Sequence, residues 1–165
     1  MKKIAIIVVL GIALAIGSVV FGTNDDRNSN RDAEAILRIH KELLDAHKNH
    51  DVDRLLAPES DQIIVVSRGE VTYQTKKERV PVFEQYLKST EFEEYRDLIQ
   101  PIVRVSKDGT LGWLIAQVEI AGSRTNSDDE SLRIDSVWAW IELYEKKDGR
   151  WYRVGEVSNA KPNSP

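Results

Sequence analysis

Two Asp-Gly pairs, Asp108-Gly109 and Asp148-Gly149, each separate long runs rich in β-branched and aromatic residues. Asp-Gly suits the two-residue turn of a hairpin, because both central positions take positive φ. The runs Leu98 to Ser106, Leu111 to Ala121, Leu132 to Tyr144 and Trp151 to Val157 therefore read as long antiparallel strands. Between the middle two, Ser123 to Ser131 is a polar loop. Its adjacent acids Asp128 to Glu130 lack the spaced oxygen ligands and the glycine of a calcium loop.

The N-terminal half follows the helical period instead. From Arg31 to Asn49, Ile36, Ile39, Leu43 and Ala46 recur at steps of three and four, with charged residues on the other sides. Asp51 is placed to cap a short turn carrying Leu55 and Leu56 inward. Ile63 to Val66 and Val71 to Tyr73, around Arg68-Gly69, read as a hairpin. Thr75 with Glu78 three residues on is a capping-box pattern that opens a helix through Leu87, with Val80, Phe83 and Leu87 on one face. Pro81 interrupts that helix and predicts a kink, or a start nearer Pro81. Helices collected on one face of an antiparallel sheet make an α+β domain, and strong curvature leaves a cavity beneath the long first helix.

The first residues are of a different character. Lys2 and Lys3 precede an uncharged apolar run from Ile4 to Ile16, then small residues, which reads as an export signal over residues 1–22. The run continues to Phe21, so an uncleaved anchor over residues 4–21 is the alternative, and the membrane would be met only through it. The expected location is the periplasm or the extracellular space. Residues 23–30 read as a flexible spacer, 31–159 as the domain and 160–165 as a flexible tail. The chain has no cysteine, so no disulfide framework or lipidated cysteine exists. A net charge of −4 disfavours a nucleic-acid partner, which would need a basic stripe.

The stretch from Asp45 to Leu87, followed by "DGTLGWLIAQVEI" and "YEKKDGRWYRVGEVSN", resembles the NTF2-like superfamily, in particular its bacterial SnoaL-like and DUF4440-like branches. The resemblance spans Asp32 to Asn159 and rests on the order of elements. It implies an NTF2-like cone: a curved antiparallel sheet packed on a long N-terminal helix and shorter helices, frequently dimeric. The functions it implies run from ketosteroid isomerase and polyketide cyclase to ligand binding without catalysis. Many DUF4440-like chains carry histidine near the end of the last strand, where this chain has Gly155 and Val157. Thr75 stands where the family usually has glycine.

His47 lies near the centre of the apolar stripe of helix one and is the side chain best placed to titrate inside a cavity. His40 lies toward the edge of the same face, and His50 at the helix end. His40, His47, Trp113, Gln117 and Glu156 are the expected ligand-binding residues. If there is catalysis, His47 with Glu119 or Asp135 would move a proton beside a carbonyl. Strand alternation puts Trp138, Trp140 and Glu142 opposite Val137, Ala139, Ile141 and Leu143. With the aliphatic face turned to the helices, the tryptophan face becomes the candidate dimer interface; the alternative is an aromatic lining of the pocket. The histidine spacing offers no zinc site, and no cofactor is implied. The functional expectation is binding of a small, largely apolar molecule without catalysis. A dimeric interaction module of the cell envelope and an isomerase- or cyclase-like enzyme are the alternatives.

Overall fold

The computed structural model describes residues 24–161. The signal or anchor over residues 1–22, and all of the tail after Lys161, lie outside them. In chain order the elements are helices α1 (Asn24–Lys48) and α2 (Val52–Leu56), strands β1 (Glu59–Ser67) and β2 (Glu70–Thr75), helix α3 (Lys76–Lys88), and strands β3 (Thr90–Asp97), β4 (Ile102–Val105), β5 (Leu111–Thr125), β6 (Ser131–Lys147) and β7 (Arg150–Ala160). Among the described residues no helix is long and apolar enough to cross a membrane. Helix α1 begins at Asn24, so the stretch read as a spacer is helical from that residue onward. Its polar, unpatterned sequence hides this, and the exposed residues 28–31 carry no apolar period.

The strands form one seven-stranded sheet in the order β2-β1-β7-β6-β5-β3, with β4 also paired to β5. The structure corrects an all-antiparallel sheet in one place: β1 runs parallel to β7. Strand β3 corrects a second reading, since Thr90 to Asp97 pairs antiparallel with β5, whereas the sequence pattern starts the strand at Leu98. Only Ile102 to Val105 of that later run is extended. A bulge between Phe92 and Glu94 breaks the alternation of β3, and its four carboxylates mask the pattern further.

The local signals elsewhere hold. Asp51 accepts a hydrogen bond from the Arg54 amide at 3.0 Å and caps α2, while Leu55 and Leu56 are buried. Thr75 and Glu78 form the capping box, with the Thr75 amide donating to Glu78 Oε2 at 2.8 Å. Helix α3 therefore starts at Lys76, ahead of Pro81. Pro81 and Lys77 both face solvent, so the carbonyl that Pro81 leaves unpaired is open to water.

All three helices pack against one side of the sheet. Ile36 of α1 joins Leu114, Ala116, Val118, Ile120, Tyr144 and Trp151 in one core cluster. Leu43 and Ala46 join Leu55, Leu56 and Leu87 in another. Contact between α1 and β5 is close: a Cβ at Gly112 would lie 2.5 Å from Ile36 Cδ1. At Gly122, with φ of 155°, a side chain would run into the Glu91 carbonyl of the bulged β3. A glycine there lets the two strands cross tightly while the sheet bends.

The Glu59 carboxylate is fully buried at the start of β1. It accepts from Arg79 Nε and Nη2 of α3, each at 2.9 Å, and from Arg153 Nη2 of β7. Arg79 also donates to Gln74 Oε1 at 2.7 Å, and the Arg153 amide donates to the Pro58 carbonyl at 2.7 Å. Truncating Glu59 would leave two guanidinium groups buried without their shared carboxylate. Removing one partner from such a cluster costs about 3–5 kcal/mol. Glu59→Ala is accordingly expected to lower stability to unfolding in urea by about that amount, with circular dichroism following the transition; a loss below about 1 kcal/mol, that of an exposed pair, would refute this role.

Candidate functional site

A cavity of about 660 Å³ opens between the helices and the inner face of the sheet. Strand β6 contributes one continuous wall, Ile134, Ser136, Trp138, Trp140 and Glu142, all on a single parity. Leu43, Leu44, Phe83, Tyr86 and Ile120 face it. The register sets these residues on the helix side, since Ala116, Val118 and Ile120 pair with Trp140, Trp138 and Ser136, and all three of those β5 side chains are buried in the core.

This reverses the assignment of the two faces. Trp138, Trp140 and Glu142, expected at a dimer interface, line the cavity, and Glu142 is 2% exposed. The aliphatic parity faces outward instead. Alternation along β6 is symmetric in what it reveals, and only the position of the helices breaks the tie. Trp113 is 38% exposed and shares the outer face with Gln117 and Glu119, so these three stand away from the cavity. Glu119 is bridged to Arg96 at the sheet edge, and Asp135 is exposed. The pairing of His47 with Glu119 or Asp135 is thereby excluded, because the sheet lies between them. Among the expected ligand-binding residues, His47 and Glu156 do line the cavity.

His40 is fully buried behind the wall. Its Nε2 lies 2.9 Å from Asp97 Oδ1, and its Nδ1 lies 3.6 Å from Glu142 Oε1, an ion-pair distance. Burial opposes a charge on His40, but the Glu142 and Asp97 carboxylates outweigh it and raise its pKa above the usual value. Glu142 in turn is disfavoured as an anion by burial, yet His40, Arg153 and the Tyr144 hydroxyl, which donates at 2.6 Å, hold its pKa below the usual carboxylate range.

His47 behaves in the opposite way. Its ring stacks on Tyr95 at 4.3 Å between centroids, and Phe83, Tyr86 and Phe92 meet it edge-on. Burial in this aromatic cage lowers its pKa to about 4. Nδ1 lies 2.7 Å from the Leu43 carbonyl. A carbonyl only accepts, so the proton of the neutral ring sits on Nδ1 and Nε2 is an acceptor. His50, with φ of 56° at the end of α1, packs on Phe92.

Of the cavity floor, Glu156 was legible in the sequence and Arg153 was not. Arg153, 5% exposed, lies 3.3 Å from Glu156 Oε2 and 3.8 Å from Glu142 Oε1. Strict alternation would put Arg153 and Glu156 on opposite faces. A register shift makes Leu143 pair with Gly155 but Tyr144 with Arg153, so Val154 is bulged out and both side chains point inward. Arg79 did carry a signal, standing one turn before Phe83 on the buried face of α3. Trp140 Nε1 and Arg153 Nε are donors without a hydrogen-bond partner among the described residues, and each has under 1 Å² accessible, so neither opens onto the cavity. Among the described residues no group of three His, Asp or Glu is arranged to hold a metal ion.

No protein-family model and no curated protein matches the chain. Solved structures do. An NTF2-like protein from Cytophaga hutchinsonii superposes with a TM-score of 0.61 at 20% identity, over 78% of this chain and 97% of that one. An NTF2-like protein of unknown function from Pseudomonas putida gives 0.64 at 16% identity, over 81% and 89%. A ketosteroid isomerase-like protein from Erwinia carotovora atroseptica gives 0.62 at 16% identity, over 82% and 99%. The chain has the NTF2-like fold.

The two buried histidines should titrate apart. In nitrogen-detected NMR, His47 is expected to keep the neutral Nδ1–H form down to about pH 4, while His40 titrates above the usual histidine value. The unfolded chain binds a proton on residue 47 near pH 6.5 whereas the folded chain does not until about 4, so this group lowers stability as pH falls through that window. His47→Phe should remove that acid-side loss. A His47 that titrates near 6.5 would contradict the cage.

Proposed function

Taking the NTF2-like fold as premise, we propose that this chain is an exported binder of a small molecule with a largely apolar body and a hydrogen-bond donor at its inner end, held without conversion. The observation that carries the reading is the chemistry of the floor. His47 offers only the Nε2 lone pair, and the half-buried Glu156 carboxylate is also an acceptor. Above them the walls are aromatic and aliphatic, and the volume suits a drug-sized molecule, for which pockets run to about 300–1,000 Å³.

The disposition of the charges favours binding over catalysis. Glu142 is held by His40 and Tyr144, and Arg153 by Glu59 and Glu156. A base with a pKa of about 4, as His47 has, is a weak proton acceptor at neutral pH. Export rests on Lys2, Lys3 and the apolar run that follows them.

The same reading includes a homodimer, formed through the outer face of the sheet. There Ile64, Ile102, Trp113, Leu143 and Val157 are each 38–43% exposed across β1, β4, β5, β6 and β7, with Ile115 and Ile141 among them. An apolar face that continuous calls for a cover, and a second copy supplies an identical one.

Native mass spectrometry of the protein recovered from its host is expected to show an added mass of a few hundred daltons, the size such cavities hold. Ser136→Trp, which fills the middle of the cavity, should abolish it. A bare wild-type chain under the gentlest conditions would count against the binder. Sedimentation at micromolar concentration should give a dimer for the wild type and a monomer for Ile141→Lys; a wild-type monomer would remove the dimer and leave the cavity reading intact.

A further inference from the structure

The outer end of the cavity has a polarity of its own. Strands β1, β5, β6 and β7 all reach the mouth together: Arg124 of β5 pairs with Leu132 of β6, Ala160 of β7 with Trp138 of β6, and Ser67 of β1 with Ser158 of β7. Three cations line this end: Arg68 in the turn after β1, Arg124 near the end of β5, and Lys161 just after β7. Among the described residues, none of the three has a carboxylate at ion-pair distance. In a chain with 27 acidic and 23 basic side chains, unpaired cations gathered at one opening run against the overall balance.

The position of Arg124 is fixed. Its Nε donates to Thr90 Oγ1 at 3.1 Å and its guanidinium lies over the Tyr86 ring at 4.8 Å, which leaves its terminal nitrogens without a carboxylate partner. Arg133 also reaches the opening, but it is tied to Glu93 at 2.6 Å and contributes no free charge. The two carboxylates of the lining, Glu142 and Glu156, both lie at the floor. Acceptors thus stand at the inner end and unneutralised donors at the outer one, with Trp138, Trp140, Ile134 and Phe83 between. Lys161 lies five residues beyond Glu156, one past the end of β7, about 16 Å along the chain at roughly 3.3 Å per extended residue.

Building on the cavity reading above, we propose that the occupant is a linear amphiphile with an acidic group at its outer end, seated against Arg68, Arg124 and Lys161, and a hydroxyl or similar donor at its inner end. The acid group stays partly hydrated at the mouth, where guanidinium groups bind carboxylate, sulfate or phosphate oxygens in a forked geometry. The apolar chain fills the middle, and the donor meets His47 Nε2 or Glu156.

The test is calorimetric titration of the full chain with 10-hydroxydecanoate and with its methyl ester, which differ in the outer charge and one methyl group. The acid is expected to bind at least about tenfold more tightly, a difference of about 1.4 kcal/mol. That advantage should shrink as salt rises from about 0.05 to 0.5 M, because exposed charges are screened over a few ångströms at high salt. In the triple variant Arg68→Gln, Arg124→Gln, Lys161→Gln the acid should fall to the affinity of the ester, which serves as the internal reference for an intact cavity. Equal binding of acid and ester by the wild type would overturn the outer acid while the cavity reading stood. An advantage that survives the triple substitution would overturn it also, and failure of both probes to bind would remove the cavity reading and this inference with it.

Discussion

A single carboxylate, Glu59, holds the two halves of the molecule in register. It receives Arg79 from the third helix and Arg153 from the last strand, and it lies where the first strand meets that last strand in parallel. Ionised groups leave water at a cost of several kcal/mol each, which only close, geometrically satisfied partners offset. The requirement is stringent, and it makes the arrangement specific. Arg79 must project from the buried side of α3, and β1 must stop pairing regularly just after Glu59, where the register shifts before Ile64. The pocket floor is built on this anchor, because Arg153 turns from Glu59 toward Glu142 and Glu156.

Curvature then decides what the two sides of the sheet can do. Gly122 and the bulge of β3 let the sheet bend over the helices, and the concave side is left with more room than its side chains fill. On that side the charged groups of the floor are neutralised in pairs, the cations stand at the mouth, and the walls between are aromatic and aliphatic. On the convex side the aliphatic residues of five neighbouring strands lie open, flanked by charged positions such as Arg96, Glu119 and Arg104. One strand, β6, supplies both surfaces by simple alternation. The tryptophans and the isoleucine of "WAWIEL" therefore serve opposite sides of the same wall.

Much of the fold was legible because its signals are local. The spacing of Ile36, Leu43 and Ala46, the caps at Asp51 and Thr75, and the Asp148-Gly149 turn depend on neighbours within a few residues, and the structure places each as the sequence indicates, whereas Asp108-Gly109 lies in a wider loop in which only Gly109 takes positive φ. The site was legible only in part. His47 and Glu156 are in it, but Trp113, Gln117 and Glu119 are on the far side, because alternation defines two faces without saying which one the helices cover. Buried Glu59 and Arg153 escaped for a different reason: a charged residue in a single sequence reads as solvated until its partners, for Glu59 those 20 and 94 positions away, are brought to it. Strand β3 escaped because a bulge interrupts its period and its acids dilute its apolar residues.

The bulge at Val154 divides the last strand into two segments with separate duties. Before it, Trp151 and Arg153 are bound into the core and the carboxylate anchor; after it, Glu156, Ser158 and Ala160 look into open space. Substitution in the first segment therefore disturbs folding, whereas substitution in the second reshapes the chamber and leaves the scaffold alone. A chain so divided can be diversified at its C-terminal end to accept new guests while its architecture is inherited unchanged.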